Sequence, residues 1–365
     1  MPLPDNKMLF FVSLIAAVFA ATLVACSAPP PTPIPTPTPV PTPTATPEGA
    51  PIPVVLPRDD APHPEYNTEW WYYNAHLVDS TGQRYSLHYV VFDVRYPGIT
   101  PINIYHAAIT DEQTKAFVIG QRSVASGINL APNAAFAYQS EGWIVGGREG
   151  KDHLAAQLGA YSFDLDLLQT KPAALHGGIG HLQFTPTDKT YYYSRTRMDA
   201  SGILTRDGQD LQVTGTAWFD HQWGNFRLQY AGGGWDWFAL QLDDGRDLMV
   251  FQLMDAQKRV FHTFATVIDK MGATRDLEDA DIKVTATGSW TSSASGGVYP
   301  MGWRLELKEA SIDVTLTPVM EDAEFNATST TFSRYWEGPV TVTGSQTGRG
   351  FVEMVGYAPF RLPSR

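Results

Sequence analysis

The sequence predicts an all-β protein. From Glu69 onward, apolar and polar residues alternate in short runs that are separated by Gly- or Asp-containing turns. This period of two is typical of strands that bury one face, and no long segment has the 3.6-residue period of an amphipathic helix. Aromatic residues make up 12% of the chain and charged residues 18%, which favours a β-rich protein with large apolar surfaces to bury. Barrels and sandwiches are the natural architectures, because they limit exposed strand edges.

The first residues of the sequence predict an export signal. Residues 8–24 are almost wholly apolar and follow Lys7, the pattern of a secretory signal. The run ends in Leu23-Val24-Ala25-Cys26, the pattern of a bacterial lipobox, so we expect removal of residues 1–25 and lipidation of Cys26. An uncleaved anchor is the alternative, because residues 8–26 are barely long enough to span a bilayer. Both interpretations place the folded part outside the cytoplasm, tethered to a membrane of the cell envelope.

Residues 26–57 are predicted to be a spacer. Pro and Thr dominate this stretch, and proline removes backbone donors and fixes φ. An extended polyproline-like chain of this length reaches on the order of 90 Å. Cys26 is the only Cys, so no intramolecular disulfide is possible and the folded part depends on its core.

The folded part is predicted to begin at residue 58. Asp244-Gly245 provides a hairpin turn between two alternating runs. Strands are predicted at 85–91, 103–110, 136–145, 161–168, 190–197, 210–218, 238–242, 248–251, 260–268, 282–290, 301–308, 312–317, 339–344 and 350–357.

The folded part also repeats itself. Four short segments recur in the same order, which predicts a duplication into two β domains of one type, at 58–225 and 226–365. Ligand sites are often built where two domains meet. The matching segments are 71–77 with 236–242, 162–167 with 311–316, 193–195 with 332–334, and 213–215 with 342–344.

The predicted junction carries the chemistry-bearing residues. Asp220 and His221 lie in a stretch rich in tryptophan, and Asp236 lies between Trp235 and Trp237. A buried carboxylic acid or an imidazolium can donate a proton, and tryptophan faces can stabilise cations. On a strand, Asp220 and His221 would point to opposite faces, whereas on a loop both could line one cavity.

Five blocks of the sequence resemble a known family. The similarity is to the hydroxyneurosporene synthase (carotenoid 1,2-hydratase) family and the related AttH-type secreted lipocalin-like proteins, and it covers about residues 64–365. The blocks are Glu69-Trp70-Trp71-Tyr72, Tyr193-Ser194-Arg195, Gly215 to Gly224 with its Asp-His-Gln-Trp-Gly core, Trp235-Asp236-Trp237-Phe238 and Tyr335-Trp336-Glu337-Gly338.

The resemblance implies two tandem lipocalin-like β-barrels and, for hydratase members, addition of water to a terminal double bond of an acyclic carotenoid without a cofactor. Such a reaction needs an acid that protonates carbon and water that captures the cation. We expect Asp220 or Asp236 to be the acid, with His221 positioning water or relaying the proton. The expected substrate wall comprises Trp223, Trp235, Trp237, Trp70, Tyr335 and Glu337.

Three other interpretations remain open. The tryptophans could be core residues and Asp220 a turn residue, or the protein could be a non-catalytic carrier of a lipophilic ligand. A rearrangement in a shaped cavity is a third possibility. The net charge of −12 argues against nucleic acid. His76 and His88 lack a third ligand nearby, so no metal is expected. We expect a monomer whose partners are a lipophilic small molecule and the membrane.

Overall fold

The computed structural model describes residues 51–126, 135–184, 188–225 and 233–359. The predicted signal, Cys26 and the spacer up to residue 50 lie outside the described residues. The described chain confirms the all-β prediction, with two nearly closed barrel-like sheets. Single 3-10 turns occur at Arg58–Asp60, Asp279–Asp281 and Lys308–Ala310. No helix within these residues has the length and apolarity needed to cross a membrane.

The first sheet contains twelve strands, and its pairings are antiparallel. Its main path runs β4-β3-β2-β1-β12-β11-β8-β7-β6-β5, and β9 and β10 pair with β11. The strands are β1 (Thr68–Asp79), β2 (Arg84–Val94), β3 (Ile102–Asp111), β4 (Ala116–Ala125), β5 (Ala135–Ser140), β6 (Trp143–Arg148), β7 (Lys151–Leu158), β8 (Tyr161–Gln169), β9 (Ala174–Leu175), β10 (His181–Gln183), β11 (Lys189–Arg206) and β12 (Gln209–Gly224).

The second sheet follows the same plan. Its path runs β16-β15-β14-β13-β24-β23-β21-β20-β17, with β22 paired to β23, while β18 and β19 form a separate hairpin. The strands are β13 (Gly234–Leu242), β14 (Asp247–Met254), β15 (Val260–Ile268), β16 (Thr274–Glu278), β17 (Ile282–Ala286), β18 (Ser289–Thr291), β19 (Val298–Pro300), β20 (Trp303–Leu307), β21 (Ile312–Pro318), β22 (Glu324–Ala327), β23 (Ser333–Gly344) and β24 (Gly348–Val355).

Alternation along the central strands separates three apolar regions. On β1, Trp71 and Tyr73 enter the core of the first sheet, whereas Tyr72 points out of it. On β13, Phe238 enters the core of the second sheet, whereas Trp237 points out of it. The outward-pointing residues of both sheets pack on one another, and we call this third region the inter-sheet interface. A two-residue period therefore gives each central strand one face in a barrel core and one in the interface.

Two of the four predicted repeat pairs lie at equivalent positions. Segments 71–77 and 236–242 lie on β1 and β13, and segments 162–167 and 311–316 lie on β8 and β21. The other two pairs are wrong. Gly344 pairs with Val314 as Gly202 pairs with Leu165, so the counterpart of Gly344 is Gly202. Tyr193 pairs with His221 and Trp336 with Met354, so Trp336 is the counterpart of Tyr193.

Some predicted strand boundaries are also wrong. The predicted strand 136–145 is a hairpin, because Glu141 and Gly142 have positive φ and reverse the chain. The predicted strand 282–290 divides into β17 and β18. Strand β4 was not predicted, because most of its positions are partly buried and carry no clear alternation. Strand β12 continues to Gly224, which places Asp220 and His221 on a strand.

Candidate active site between the two sheets

Two equivalent rows of side chains face each other across the inter-sheet interface. On the first sheet, Asp220 is paired in register with Tyr72 on one side and Ser194 on the other. On the second sheet, Glu353 is paired in the same way with Trp237 and Glu337. Asp220 and Glu353 are therefore counterparts in the two sheets. The duplicated architecture brings acidic residues to the same buried surface from both sides.

Asp220 is buried and accepts three hydrogen bonds. Its Oδ1 accepts from Ser194 Oγ at 2.5 Å and Trp218 Nε1 at 2.6 Å, and its Oδ2 accepts from the Tyr192 hydroxyl at 2.5 Å. Burial raises the pKa of Asp220 to about 7, although these donors act in the opposite direction. The carboxyl is thus poised to hold or release a proton near neutral pH, as a general acid requires.

The second sheet contributes two more carboxyls with raised pKa. Burial, together with the charge of Asp220, raises the pKa of Glu353 to about 7, against a hydrogen bond of 3.1 Å from Trp235 Nε1. Burial and the neighbouring Glu353 also raise the pKa of Glu337. The Tyr72 hydroxyl donates to Glu337 Oε1 at 2.5 Å across the interface. Carboxyls that share a buried site favour states in which part of the set is protonated.

Aromatic rings surround these acids. Tyr72 and Trp237 meet edge to face at 5.2 Å, and Trp237 Nε1 donates to the Tyr192 hydroxyl at 3.0 Å. Four partly buried rings, which we call the aromatic rim, pack against the interface: Trp70, Phe92, Trp235 and Phe251. The rim forms two contacts, Trp70 with Phe92 and Trp235 with Phe251, each with centroids 6.2 Å apart. Such a surface suits an apolar ligand.

The interface brings together six of the nine residues predicted from sequence for catalysis or substrate binding. Tyr335 lies beside it on β23, in a small neighbouring cluster between the two sheets, where it stacks on Phe325 and is hydrogen bonded to His106 Nδ1 at 3.1 Å. The six are Asp220, Trp70, Trp235, Trp237, Tyr335 and Glu337. The other three, His221, Trp223 and Asp236, lie elsewhere.

His221 and Trp223 point into the first barrel. His221 is fully buried, and its Nε2 lies 2.7 Å from Glu69 Oε1. The same oxygen lies 2.8 Å from His63 Nδ1, and the His63 ring stacks on Trp223 at 3.9 Å. Burial opposes the charged form of His63, but hydrogen bonds with Asp59 and Glu69 prevail and raise its pKa to about 9. Burial lowers the pKa of His221.

This cluster has the donor set of a metal site. His63, Glu69 and His221 bring ligand-type atoms within 4.8 Å of one another, and two His with one Glu is a known zinc arrangement. In the structure, Glu69 Oε1 already pairs with both rings, so the cluster is complete as a hydrogen-bonded triad. Glu69 thereby fixes the orientation of His221 inside the barrel.

Asp236 points into the second barrel. It is buried, and its Oδ2 accepts from the Tyr357 hydroxyl at 3.1 Å, while Oδ1 has no hydrogen-bond partner within the part of the chain that the structure describes. Burial raises the pKa of Asp236 to about 7. As the alternation predicted, Asp236 faces away from Trp235 and Trp237. The three predicted catalytic residues therefore occupy three compartments, and they do not line one cavity.

Sequence reasoning missed several residues of the interface: Glu353, Tyr72, Tyr192, Ser194 and His176. A signal was available for Glu353, since it interrupts an otherwise apolar strand between Phe351 and Val355 on the same face. Ser194 lies in the Tyr193-Ser194-Arg195 block that carries the family resemblance, but that block did not single it out, and Tyr192 carries no signal. The role of both residues depends on how β11 pairs with β12, and the sequence alone does not give that register.

Comparison with known proteins agrees with this architecture. The sequence model of the AttH-like family matches residues 47–357. A crystal structure of an AttH protein from Nitrosomonas europaea is 28% identical, covers 86% of this chain and 99% of its own, and superposes with a TM-score of 0.77. Kievitone hydratase from Nectria haematococca is 19% identical, covers 85% of this chain and 94% of its own, and has a TM-score of 0.69.

A third structure, CghA with Sch210972, is 11% identical, covers 80% of this chain and 89% of its own, and has a TM-score of 0.50. At this identity, and at that of kievitone hydratase, the likeness shows the fold alone. No curated protein matches the chain in a sequence search.

Proposed function

The chain belongs to the AttH-like family, and from this premise we propose that it hydrates a double bond of an apolar, isoprenoid-like molecule at the inter-sheet interface. The observation that carries the proposal is the pair Asp220 and Glu353. Both carboxyls have their pKa raised to about 7 and both lie among aromatic rings. Kievitone hydratase shares the fold, so the architecture is compatible with hydration.

In the proposed reaction, the protonated Asp220 carboxyl gives its proton to an alkene carbon. The double-bond electrons form the new C–H bond and leave a tertiary carbocation. The faces of Tyr72 and Trp237 stabilise this cation, by about 2 kcal/mol or more in a desolvated site. Water then adds to the cation, and its surplus proton passes to a carboxylate, either Glu353 or Asp220. Proton and water balance, and no cofactor takes part in these steps.

His221 and Asp236 have different places in this proposal from those expected from sequence. Each faces a barrel interior, so neither reaches the atoms that react at the interface. Strand β12 presents Asp220 on one face and His221 on the other. We propose that the Glu69–His221 pair, at 2.7 Å, holds this strand in place from inside the first barrel.

The test is incubation of the full chain in detergent with acyclic carotenoids, followed by mass spectrometry for addition of one water. We expect an adduct from wild type and none from Asp220→Asn, with His153→Ala as a matched control on an exposed part of β7. Binding of carotenoid by Asp220→Asn, read from tryptophan quenching, should persist. Hydration by Asp220→Asn at the wild-type rate would refute the assignment.

A carrier of a lipophilic molecule is the second candidate function. It is favoured by the way Asp220 accepts three donors, which satisfies the carboxyl without any ligand. A carrier would bind carotenoid without producing an adduct. Its affinity would fall in Trp235→Ala, because that ring belongs to the aromatic rim, and would not change in Asp220→Asn.

We also propose that the chain is an exported lipoprotein anchored through Cys26 and otherwise monomeric. A tether at the membrane suits a substrate that resides there. Labelling of cells with a fatty-acid probe should modify the wild-type chain and not Cys26→Ser. Unlabelled wild type that remains in the membrane fraction would favour the uncleaved anchor.

A further inference from the structure

A continuous chain of hydrogen bonds connects Asp220 with β16, the edge strand of the second sheet. Ser194 Oγ, which bonds Asp220 at 2.5 Å, also lies 2.7 Å from His176 Nε2. His176 Nδ1 lies 2.8 Å from Thr266 Oγ1. Thr266 Oγ1 donates to Asp276 Oδ1 at 2.7 Å. Each link has the length of a good hydrogen bond.

The middle of this chain is buried and its far end is partly exposed. Ser194, His176 and Thr266 are each 0% exposed, whereas Asp276 is partly exposed on β16. His176 lies directly after β9 and bridges the two sheets, with one hydroxyl on each ring nitrogen. Burial lowers the pKa of His176 to about 3, so the ring is neutral and has one donor and one acceptor nitrogen.

The other partners of Asp220 offer no comparable path among the described residues. Trp218 Nε1 is a donor only. The Tyr192 hydroxyl connects Asp220 to Trp237 Nε1, which is again a donor only. An apolar ligand that fills the interface excludes water from Asp220. The branch through Ser194 then remains as a connection between this carboxyl and solvent.

We propose that Thr266, His176 and Ser194 form a proton relay between Asp276 and Asp220. The proposal rests on the proposed function, which takes Asp220 as the acid and places an apolar ligand at the interface. A proton from solvent binds Asp276, and the Thr266 hydroxyl then rotates from Asp276 to donate to His176 Nδ1. Asp276 passes its proton to Thr266 Oγ1 as the hydroxyl proton of Thr266 moves to His176 Nδ1. His176 releases its Nε2 proton to Ser194, and the Ser194 proton moves to Asp220.

One proton enters this chain and one leaves it. His176 changes tautomer and carries no charge before or after the transfer. The reverse movement, from Asp220 to Asp276, restores the original tautomer. The relay therefore keeps Asp220 in equilibrium with solvent while the interface is filled. Ser194, His176 and Thr266 are positioning residues in this scheme, since none touches the substrate.

The test measures proton exchange at Asp220 and needs no substrate. The C=O stretch of a protonated carboxyl shifts in D2O, and rapid-mixing infrared spectroscopy of the full chain in detergent times that shift. Other buried carboxyls absorb nearby, among them Glu353, Glu337 and Asp236, so the Asp220 band is the one lost in Asp220→Asn. We expect exchange at Asp220 to slow about tenfold or more in Thr266→Val, the same shape without the hydroxyl.

Thr263→Val is the matched control. Thr263 is also buried on β15, but its hydroxyl only accepts from Gln252 Nε2 at 3.3 Å. In this variant, the proton of Asp220 should exchange at the wild-type rate. His176→Phe, which removes both nitrogens, should slow exchange as Thr266→Val does. A purely structural role for Thr266 would leave exchange fast or would speed it by loosening the interface, and either result overturns the relay.

The relay and the hydratase proposal fail separately. Slow exchange in Thr266→Val without any carotenoid adduct from wild type supports the relay and removes hydration as the activity. An adduct from wild type with unaltered exchange in Thr266→Val supports hydration and overturns the relay. Absence of an Asp220 band in wild type at pH 6 also overturns the relay, because there would be no proton to carry.

Discussion

At the scale of single residues, burial decides how Asp220 and its neighbours behave. Asp220 and His221 are adjacent in sequence, yet one faces the interface and the other faces the first barrel. Burial acts on both in the same sense, because it disfavours the charged form of either group. It raises the pKa of the carboxyl and lowers that of the imidazole. Burial therefore favours the uncharged form of both side chains.

Asp220→Asn should change the pH dependence of stability. The pKa of Asp220 rises on folding from 3.8 to about 7, so its contribution is fully present below pH 3.8 and is lost as pH rises through 7. Asparagine does not titrate. Relative to wild type, the free energy of unfolding of the variant should rise on the order of 4 kcal/mol between pH 4 and pH 8, because the pKa of Asp220 differs by about 3 between the folded and unfolded states.

Urea unfolding of both proteins at pH 4, 6 and 8 measures this difference. The constant effect of the lost hydrogen bonds cancels when the difference is followed against pH. Asp210→Asn, at an exposed aspartate on β12, is the control for the loss of one carboxyl charge. A flat difference for Asp220→Asn would mean that Asp220 is ionised throughout.

At the scale of elements, the junction of β1 and β12 explains what sequence patterns could and could not predict. Alternation correctly placed Trp235 and Trp237 on one face and Asp236 on the other, because side-chain direction on a strand is a local property. Alternation could not decide whether Asp220 lay on a strand or a loop. The strand continues past 218 because β1 and β11 pair with it as far as Gly224, and these contacts are distant in sequence.

Gly215→Ala should destabilise this junction. A Cβ at Gly215 would lie 1.9 Å from the backbone oxygen of His76 and 3.0 Å from Leu77 Cα on the neighbouring strand. Backbone atoms cannot move aside as a flexible side chain can, so β1 and β12 must separate. Overpacking of this kind costs roughly 1–3 kcal/mol or more.

Chemical denaturation of Gly215→Ala measures the cost. Thr214→Ala, at the adjacent exposed position of β12, is the control and should change stability by less. Equal stability of Gly215→Ala and wild type would show that the two strands are less closely packed than the structure has them.

At the scale of the whole molecule, the two sheets share an apolar interface in addition to their separate cores. Trp218 and Tyr72 from the first sheet pack with Trp237 and Phe351 from the second. Composition and alternation predicted an all-β protein and the internal repeat predicted two β units, but neither predicted the rows of side chains that face each other between the two sheets. Those rows depend on how two sheets dock, and a face that docks has the same two-residue period as a face that lines a core.

Trp237→Ala should therefore lower the stability of both sheets together. Trp237 is 4% exposed and contacts Tyr72, Tyr192 and Trp218 of the first sheet. Large-to-small changes of a buried tryptophan cost roughly 3–5 kcal/mol. Hydrogen-exchange mass spectrometry should show lower opening free energies in β1 and β12 as well as in β13 and β24.

Phe261→Ala is the control, because this exposed side chain lies on β15 away from any core. We expect wild-type exchange in both sheets of that variant. Protection lost from the second sheet alone in Trp237→Ala would show that the two sheets unfold independently.

Strand β12 has one face in the first barrel and the other in the inter-sheet interface, and this matters for how the protein can diversify. Positions 218, 220 and 222 face the interface, whereas 219, 221 and 223 face the interior of the first barrel, so a change on one face leaves the side chains of the other face in place. Because the second sheet repeats this plan on β24, a lineage can explore new specificities on either side without rebuilding its scaffold. Under the proposed function, the two sheets thus supply two halves of one binding surface, and each half can change separately.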